Sequence, residues 1–275
     1  MGPTKIPYAT RTWSPTTGCT NGCPTCWARS VVRRRRSFFG GDFSPREWPE
    51  RLHEPQLAQK PQVILVSFMS DLFDPAISDE FLRVVFGTMH GCQQHTFLVL
   101  TQRLERMRAF LTDAYPGWCG FDAWPREYPN VWLGATVTDQ ESADTNIPIL
   151  LQTPAAHRWV SIEPLLGKPD RGLSQYTGRC ATKCHACGMV WGHDRDIGGS
   201  GCRGLDQVVL GCESGPNRRP MPHAWARSIR DQCAEAGVPL YYKQASENED
   251  DTGKVVKEPT LDGKQHLELA REAER

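Results

Sequence analysis

Six short apolar runs recur along the chain, at residues 63–68, 96–100, 131–135, 158–162, 207–210 and 239–242. Each is rich in β-branched or aromatic residues and ends in polar ones, the signature of strands buried on both faces. Helical patterns lie between several of them. Residues 79–90 place Phe81, Leu82, Val85, Phe86 and Met89 at spacings of three and four. Residues 105–115 follow the second run. Residues 223–236 set Trp225, Ile229 and Cys233 on one face, with Gly237 where a helix-ending glycine belongs. Strand alternating with helix means a parallel sheet. With a short strand near residues 10–13, the pattern predicts an α/β chain built as a full or partial β/α barrel, with a doubly wound open sheet as the competing architecture.

Two regions break this rhythm. Residues 168–204 are rich in Gly, Cys, His and Arg and poor in large aliphatics, and read as an inserted metal-binding segment within a barrel spanning residues 1–245. Residues 246–275 are polar and charged and read as a tail, loose at first, with a final helix expected at 267–271. The 275 residues carry 32 basic and 32 acidic side chains, so no overall field points to nucleic acid or a membrane. One local exception is Arg33-Arg34-Arg35-Arg36, just after the first cysteine cluster. As a solvated face it would be balanced by Asp42 and Glu47; as a patch near a barrel mouth it would hold phosphates. The apolar runs are far too short to span a bilayer, and the N-terminus lacks a secretory apolar stretch, so a cytoplasmic protein is expected.

There are eleven cysteines, seven of them in two tight clusters. Without a secretory signal, C-x2-C spacings point to metal rather than disulfides. Cys19, Cys23 and Cys26 have the spacing C-x3-C-x2-C. A structural zinc ion wants four ligands, so three thiols need a distant fourth partner. Alternatively they hold a [4Fe-4S] cluster by three of its irons and leave the fourth open. Cys180, Cys184 and Cys187 repeat the spacing, with Cys202 following. That set suits either a four-thiolate zinc site pinning a segment without a core, which is favoured, or an auxiliary iron-sulfur cluster, and His185 or His193 could replace a thiol. Cys92, Cys119, Cys212 and Cys233 read as buried thiols.

The first cysteine set resembles that of the radical S-adenosylmethionine (SAM) superfamily, whose members carry this spacing in a loop after the first strand of a full or partial β/α barrel. The resemblance implies that the open iron binds the amino and carboxylate groups of SAM. It further implies that the reduced cluster cleaves SAM to a 5′-deoxyadenosyl radical that abstracts hydrogen from a substrate. An electron donor such as flavodoxin or ferredoxin would be the partner. The pattern differs in two places. Thr25 stands where the family usually has an aromatic residue, with Trp27 following Cys26 and expected against the cofactor. Met69-Ser70-Asp71 replaces a glycine-glycine-glutamate segment. Seven further segments, among them Thr12-Trp13-Ser14-Pro15, Ser70-Asp71-Leu72-Phe73, Leu100-Thr101-Gln102-Arg103, Glu163-Pro164-Leu165-Leu166-Gly167 and Gly211-Cys212-Glu213-Ser214-Gly215, resemble a phage and prophage family that is radical-SAM-like and has no assigned reaction.

In β/α barrels the chemistry sits at the C-terminal ends of the strands, and here those ends are polar. Asp71 is expected to meet the ammonium of SAM, and Thr101 and Arg103 its carboxylate. Glu163, Glu213 and Lys243 are expected to bind ribose or substrate, or to move protons. A nucleic-acid base is the suggested substrate, for modification or repair. Two other readings stand beside this one. In the first, a zinc-containing nucleic-acid-binding protein, both cysteine sets hold zinc and no radical chemistry occurs. In the second, a metal-independent hydrolase, Glu163 and Glu213 act as paired carboxylates.

Overall fold

The computed structural model describes residues 1–23, 26–36, 42–113, 128–168, 204–214, 218–249 and 253–270. The chain is a mixed α/β protein whose central strands are mostly parallel, and it divides into two compact units, Met1–Leu133 and Gly134–Arg275.

In the first unit, β1 (Gly2–Pro3) and β2 (Arg11–Trp13) pair antiparallel, with Gly2 opposite Thr12. A small antiparallel ribbon of β3 (Thr16–Thr17) and β4 (Arg46–Glu47) flanks α1 (Trp27–Arg34) in sequence. Next come β5 (Val63–Val66), α2 (Asp79–His90), β6 (Thr96–Thr101) and α3 (Leu104–Asp113). β2 runs parallel to β5 and β5 to β6, so the order is β1-β2-β5-β6. α2 starts where the side chain of Ser78 accepts the N–H of Phe81 at 3.2 Å, and it buries the predicted stripe Phe81, Leu82, Val85, Phe86 and Met89. Phe86 lies 6.2 Å from Phe73 and 5.6 Å from Phe110, centroid to centroid, an aromatic cluster beneath the sheet. Truncating such a ring costs about 3–5 kcal/mol.

The unit boundary falls within β7 (Val131–Thr136). The second unit continues with α4 (Gln140–Gln152), β8 (His157–Ile162), β9 (Gln207–Gly211), α5 (His223–Ala236), β10 (Leu240–Ser246), β11 (Val255–Lys257) and a hairpin of β12 (Thr260–Leu261) and β13 (Lys264–Gln265). α4 opens with a reciprocal cap between Asp139 and Ser142. α5 ends at Gly237, whose φ of 65° is the left-handed conformation that favours glycine. β8, β9 and β10 are parallel, and β11 adds antiparallel to β10 with Gln244 opposite Lys257. Tyr242 faces Leu210 and Gln244 faces Gly211, so Lys243 is an extra residue on β10. Such a bulge re-aims a side chain, and Lys243 is the one partly exposed residue of an otherwise buried strand.

The α/β class and the parallel strands agree with the sequence pattern. Among the described residues no pairing closes the strands into a barrel. The segment after residue 246, read from sequence as a loose tail, supplies β11 to β13 and buries Leu261 and His266. The expected final helix at 267–271 runs into residues outside those described. So does nearly all of the expected insertion, with Cys180, Cys184, Cys187, Cys202, His185 and His193; Cys119 also lies outside.

Candidate functional site

In the first unit the site is built on the turn between β3 and α1. Gly18 has φ of +77°, and a Cβ there would run into the backbone carbonyls of Phe43 and Ser44, so glycine is required where the chain enters the turn. The N–H of Cys19 then bonds the Phe43 carbonyl at 3.2 Å. Cys26 is the N-cap of α1: its sulfur accepts the Arg29 N–H at 3.3 Å, and the Cys19 sulfur accepts the Asn21 N–H at 3.3 Å. All three cysteines are free and half-buried. Burial pushes the Cys19 thiol up, the charges of Asp71 and Asp74 add to this, and the Asn21 N–H and Arg103 oppose it. Among the described residues no three His, Cys, Asp or Glu side chains are drawn into one ligand set.

The ends of β5 and β6 hold this turn. Asp71, only 6% exposed, accepts the Thr101 hydroxyl at 2.7 Å, the Gln102 N–H at 3.1 Å and the Phe73 N–H at 3.0 Å. Burial raises its pKa in spite of these three donors and of Arg103. Thr101 in turn accepts the Arg103 N–H at 2.9 Å. The Arg103 guanidinium donates to Thr20 Oγ1 at 2.7 Å and to Asp74 Oδ2 at 3.2 Å. Asp74, fully buried, also takes the N–H and hydroxyl of Thr20 at 2.7 and 2.8 Å, and the Ala76 N–H at 3.1 Å. Burial would raise its pKa, but those donors and Arg103 together hold it low. Gln102 Oε1 accepts from Asn21 Nδ2 at 2.9 Å and lies 3.8 Å from the Cys23 sulfur.

Asp71, Thr101, Arg103 and the cysteine turn are therefore one connected network. Its keystone, Asp74, was not read from sequence; nor was Thr20. The available signal was position: Thr20 adjoins Cys19, and Asp74 lies three residues beyond Asp71. Trp27 is 46% exposed and rests on Phe68, ring centroids 5.4 Å apart.

In the second unit, Glu163 ends β8 and Lys243 projects from the β10 bulge. Lys243 Nζ bonds Glu163 Oε2 at 3.1 Å and lies 2.9 Å from Oε1, off the line a hydrogen bond needs. Both side chains are largely buried, at 12% and 14% exposed. Gly211 at the end of β9 makes the room: a Cβ would stand 2.6 Å from Glu163 Oε1 and 3.1 Å from Gln244 Cγ. Gln244 Nε2 bonds the Cys212 carbonyl at 2.6 Å and Ser214 Oγ at 2.8 Å, and its Oε1 accepts Lys257 Nζ. Burial and the charge of Lys243 lower the Lys257 pKa, with Glu163 and Cys212 opposing. Lys257, carried in by β11, was invisible to a reading that took this segment as a tail. Glu213 stands apart from Glu163 in its bonding: its carboxylate takes the Arg219 N–H at 2.8 Å and the guanidinium at 3.0 and 2.7 Å. Such a two-pronged pair is a structural clasp.

A family model described as Protein of unknown function (DUF5131) matches residues 3–270. The chain belongs to this family. No curated protein matches it. Among solved structures, spore photoproduct lyase complexed with dinucleoside spore photoproduct is 10% identical with a TM-score of 0.48, over 86% of this chain and 64% of that one. A mutant of the same enzyme is 10% identical with a TM-score of 0.49, over 90% of this chain and 68% of that one. A further mutant, with bound AdoMet and the dinucleoside, has a TM-score of 0.45. The chain thus spans about two thirds of these enzymes' length, and likeness at this level assigns no reaction to it. Among the described residues no helix is long and apolar enough to cross a membrane.

Proposed function

We propose that this protein is a radical SAM enzyme whose cluster is held by Cys19, Cys23 and Cys26. The observation that carries the reading is the turn itself: three free, half-buried thiols within eight residues, two of them already accepting backbone N–H groups. Thiolate ligands and N–H donors to sulfur are what an iron-sulfur cluster requires, so the donor set fits. A cluster bound there with one iron open supplies the electron that splits SAM and starts hydrogen abstraction.

The chain's own residues do the rest. The Thr20–Asp74–Arg103 clasp fixes the turn on the strand ends. Asp71, held by the donors Thr101, Gln102 and Phe73, is in this reading the carboxyl that meets the ammonium group of SAM. Arg103, partly exposed within that clasp, supplies a guanidinium for a carboxylate, Thr101 holds Asp71 through its hydroxyl, and Trp27 is an aromatic wall for the cofactor. In the second unit the Glu163–Lys243 pair sets a carboxylate against an amine at 2.9 Å and suits substrate binding or proton movement. Glu213, clasped by Arg219, positions rather than reacts. A flavodoxin or ferredoxin is the reductant, and the second cysteine set, Cys180, Cys184, Cys187 and Cys202, binds zinc or a second cluster. The substrate class in this reading is a nucleic-acid base.

Anaerobic reconstitution with iron and sulfide tests the assignment. Wild-type protein is expected to retain iron and sulfide with broad visible absorption, and a Cys19→Ala/Cys23→Ala/Cys26→Ala variant to lose one cluster's worth of both. Equal iron and sulfide in the two proteins contradicts it.

A further inference from the structure

Charge is balanced over the whole chain but not along it. Residues 1–41 contain seven lysines and arginines and no aspartate or glutamate. Four of the seven, Arg33 to Arg36, are exposed at the end of α1. The two acids that would neutralise them are used elsewhere. Asp42 accepts the Ser44 N–H at 2.9 Å and lies 3.9 Å from Arg46, and Glu47 takes the N–H and hydroxyl of Ser78 at 2.7 and 2.8 Å. Among the described residues, the one side-chain contact made by the four arginines is Arg34 Nε to the Ser30 carbonyl at 3.3 Å.

A helix end accounts for part of this charge. Cations in a last turn are favoured by the carbonyl end of the helix, and Arg33 and Arg34 occupy that turn. Arg35 is the C-cap and Arg36 follows it, so the run continues past the last turn. Arg33 and Arg34 point about 100° apart on the helix, and Arg35 leaves helical geometry with φ of −109° and ψ of 48°, so these guanidinia do not converge on one small anion. They fit a chain of anions that can meet several of them in turn. The same helix exposes Trp27 and Ser30 in line with Arg34, at helical spacings of three and four, so an aromatic face stands on the stripe that leads from the arginines back to Cys26.

We propose that the basic end of α1 grips the phosphate backbone of a single-stranded nucleic acid and leads that strand toward the cysteine turn. Guanidinium groups on phosphates with an aromatic ring beside them are the recurring means of holding single strands. The inference deepens the function proposed above and rests on it for the strand's destination. Binding itself is read without reduction or turnover, so the two fail separately.

The test is fluorescence anisotropy of a labelled single-stranded oligonucleotide with the full-length protein, titrated at several salt concentrations. Wild-type binding is expected to weaken steeply with salt. Each phosphate contact to a single strand adds about 0.7 to the slope of log K against log salt. Replacing all four residues (Arg33→Ser, Arg34→Ser, Arg35→Ser, Arg36→Ser) should therefore flatten the slope by about 2–3. Because the four side chains are exposed and only the helix-end contribution of Arg33 and Arg34 is lost, the melting temperature should fall by no more than a few degrees. The corresponding four-lysine variant should keep most of the slope. No oligonucleotide binding by wild type, or a serine variant with the wild-type slope, overturns the proposal. So does equal affinity for heparin, which would make the patch a general polyanion surface.

Discussion

Asp74→Asn should loosen the cysteine turn at a cost that can be worked from the structure. One oxygen of Asp74 accepts three donors, the Thr20 N–H at 2.7 Å, the Thr20 hydroxyl at 2.8 Å and Arg103 at 3.2 Å, in a side chain with no exposed surface. A hydrogen bond to a charged group contributes roughly 1.5–3 kcal/mol, and stripping one partner from a buried pair costs about 3–5 kcal/mol. Asparagine keeps one oxygen, and Arg103, 21% exposed, still reaches water. We therefore expect a loss of about 2–4 kcal/mol for the unit that carries it, or roughly 6–12 °C in melting temperature. The effect depends on pH with a defined sign. The folded pKa of Asp74 lies below its unfolded value, so its contribution is complete above about pH 4 and is lost as pH falls through the folded pKa. Urea unfolding of both proteins at neutral and acid pH, with hydrogen exchange at the Thr20 and Asn21 amides, is the assay. A variant within about 0.5 kcal/mol of wild type at neutral pH, or a difference that grows on acidification, refutes the role given to Asp74.

Three further outcomes follow from the same coordinates. Gly211→Ala drives a methyl group against the Glu163 carboxylate and should destabilise the second unit by about 1–3 kcal/mol; an unchanged denaturation midpoint would contradict the packing. A double-mutant cycle of Glu163→Gln and Lys243→Met should give a coupling of about 1–3 kcal/mol, as the two groups lie 2.9 Å apart and largely buried, and a coupling near zero would remove the pair from the account. On brief alkylation at pH 8 of folded protein stripped of iron, Cys23 and Cys26 should label, while Cys233, whose thiol burial and the Glu268 charge push up to about 12, should not. Only about one part in ten thousand of such a thiol is reactive at that pH. Labelling of Cys233 as fast as Cys23 by quantitative mass spectrometry would refute this.

The parts of the fold that repeat were legible in sequence. α2 and α5 begin and end where apolar spacing and, for α5, Gly237 put them, because a helix against a sheet must show its apolar stripe and its stop. α4 buries a short stripe of Ala143, Ile147 and Leu150 at helical spacing, but Pro148 interrupts it in sequence and its Asp139–Ser142 cap is a weak signal on its own. β11 was hidden because an edge strand with two exposed residues of three lacks the burial that makes strands conspicuous. At the site, residue type was legible and pairing was not. Asp71 and Thr101 meet as adjacent strand ends do. Which acid Arg103 would choose depended on how the chain turns after Asp71, where Asp74 N–H bonds back to the Asp71 carbonyl at 3.1 Å and swings its side chain toward Thr20. Glu213 looked free in sequence and is held by Arg219, six residues on.

The central claim is that the turn of Cys19, Cys23 and Cys26 holds a cluster with an iron left open for SAM. Electron paramagnetic resonance of the anaerobic, dithionite-reduced protein, with and without SAM, tests it most directly. The account predicts a [4Fe-4S]⁺ signal that shifts when SAM is added and is absent from Cys23→Ala. Folded, iron-reconstituted protein with no such signal, or a signal indifferent to SAM and to Cys23→Ala, would contradict it.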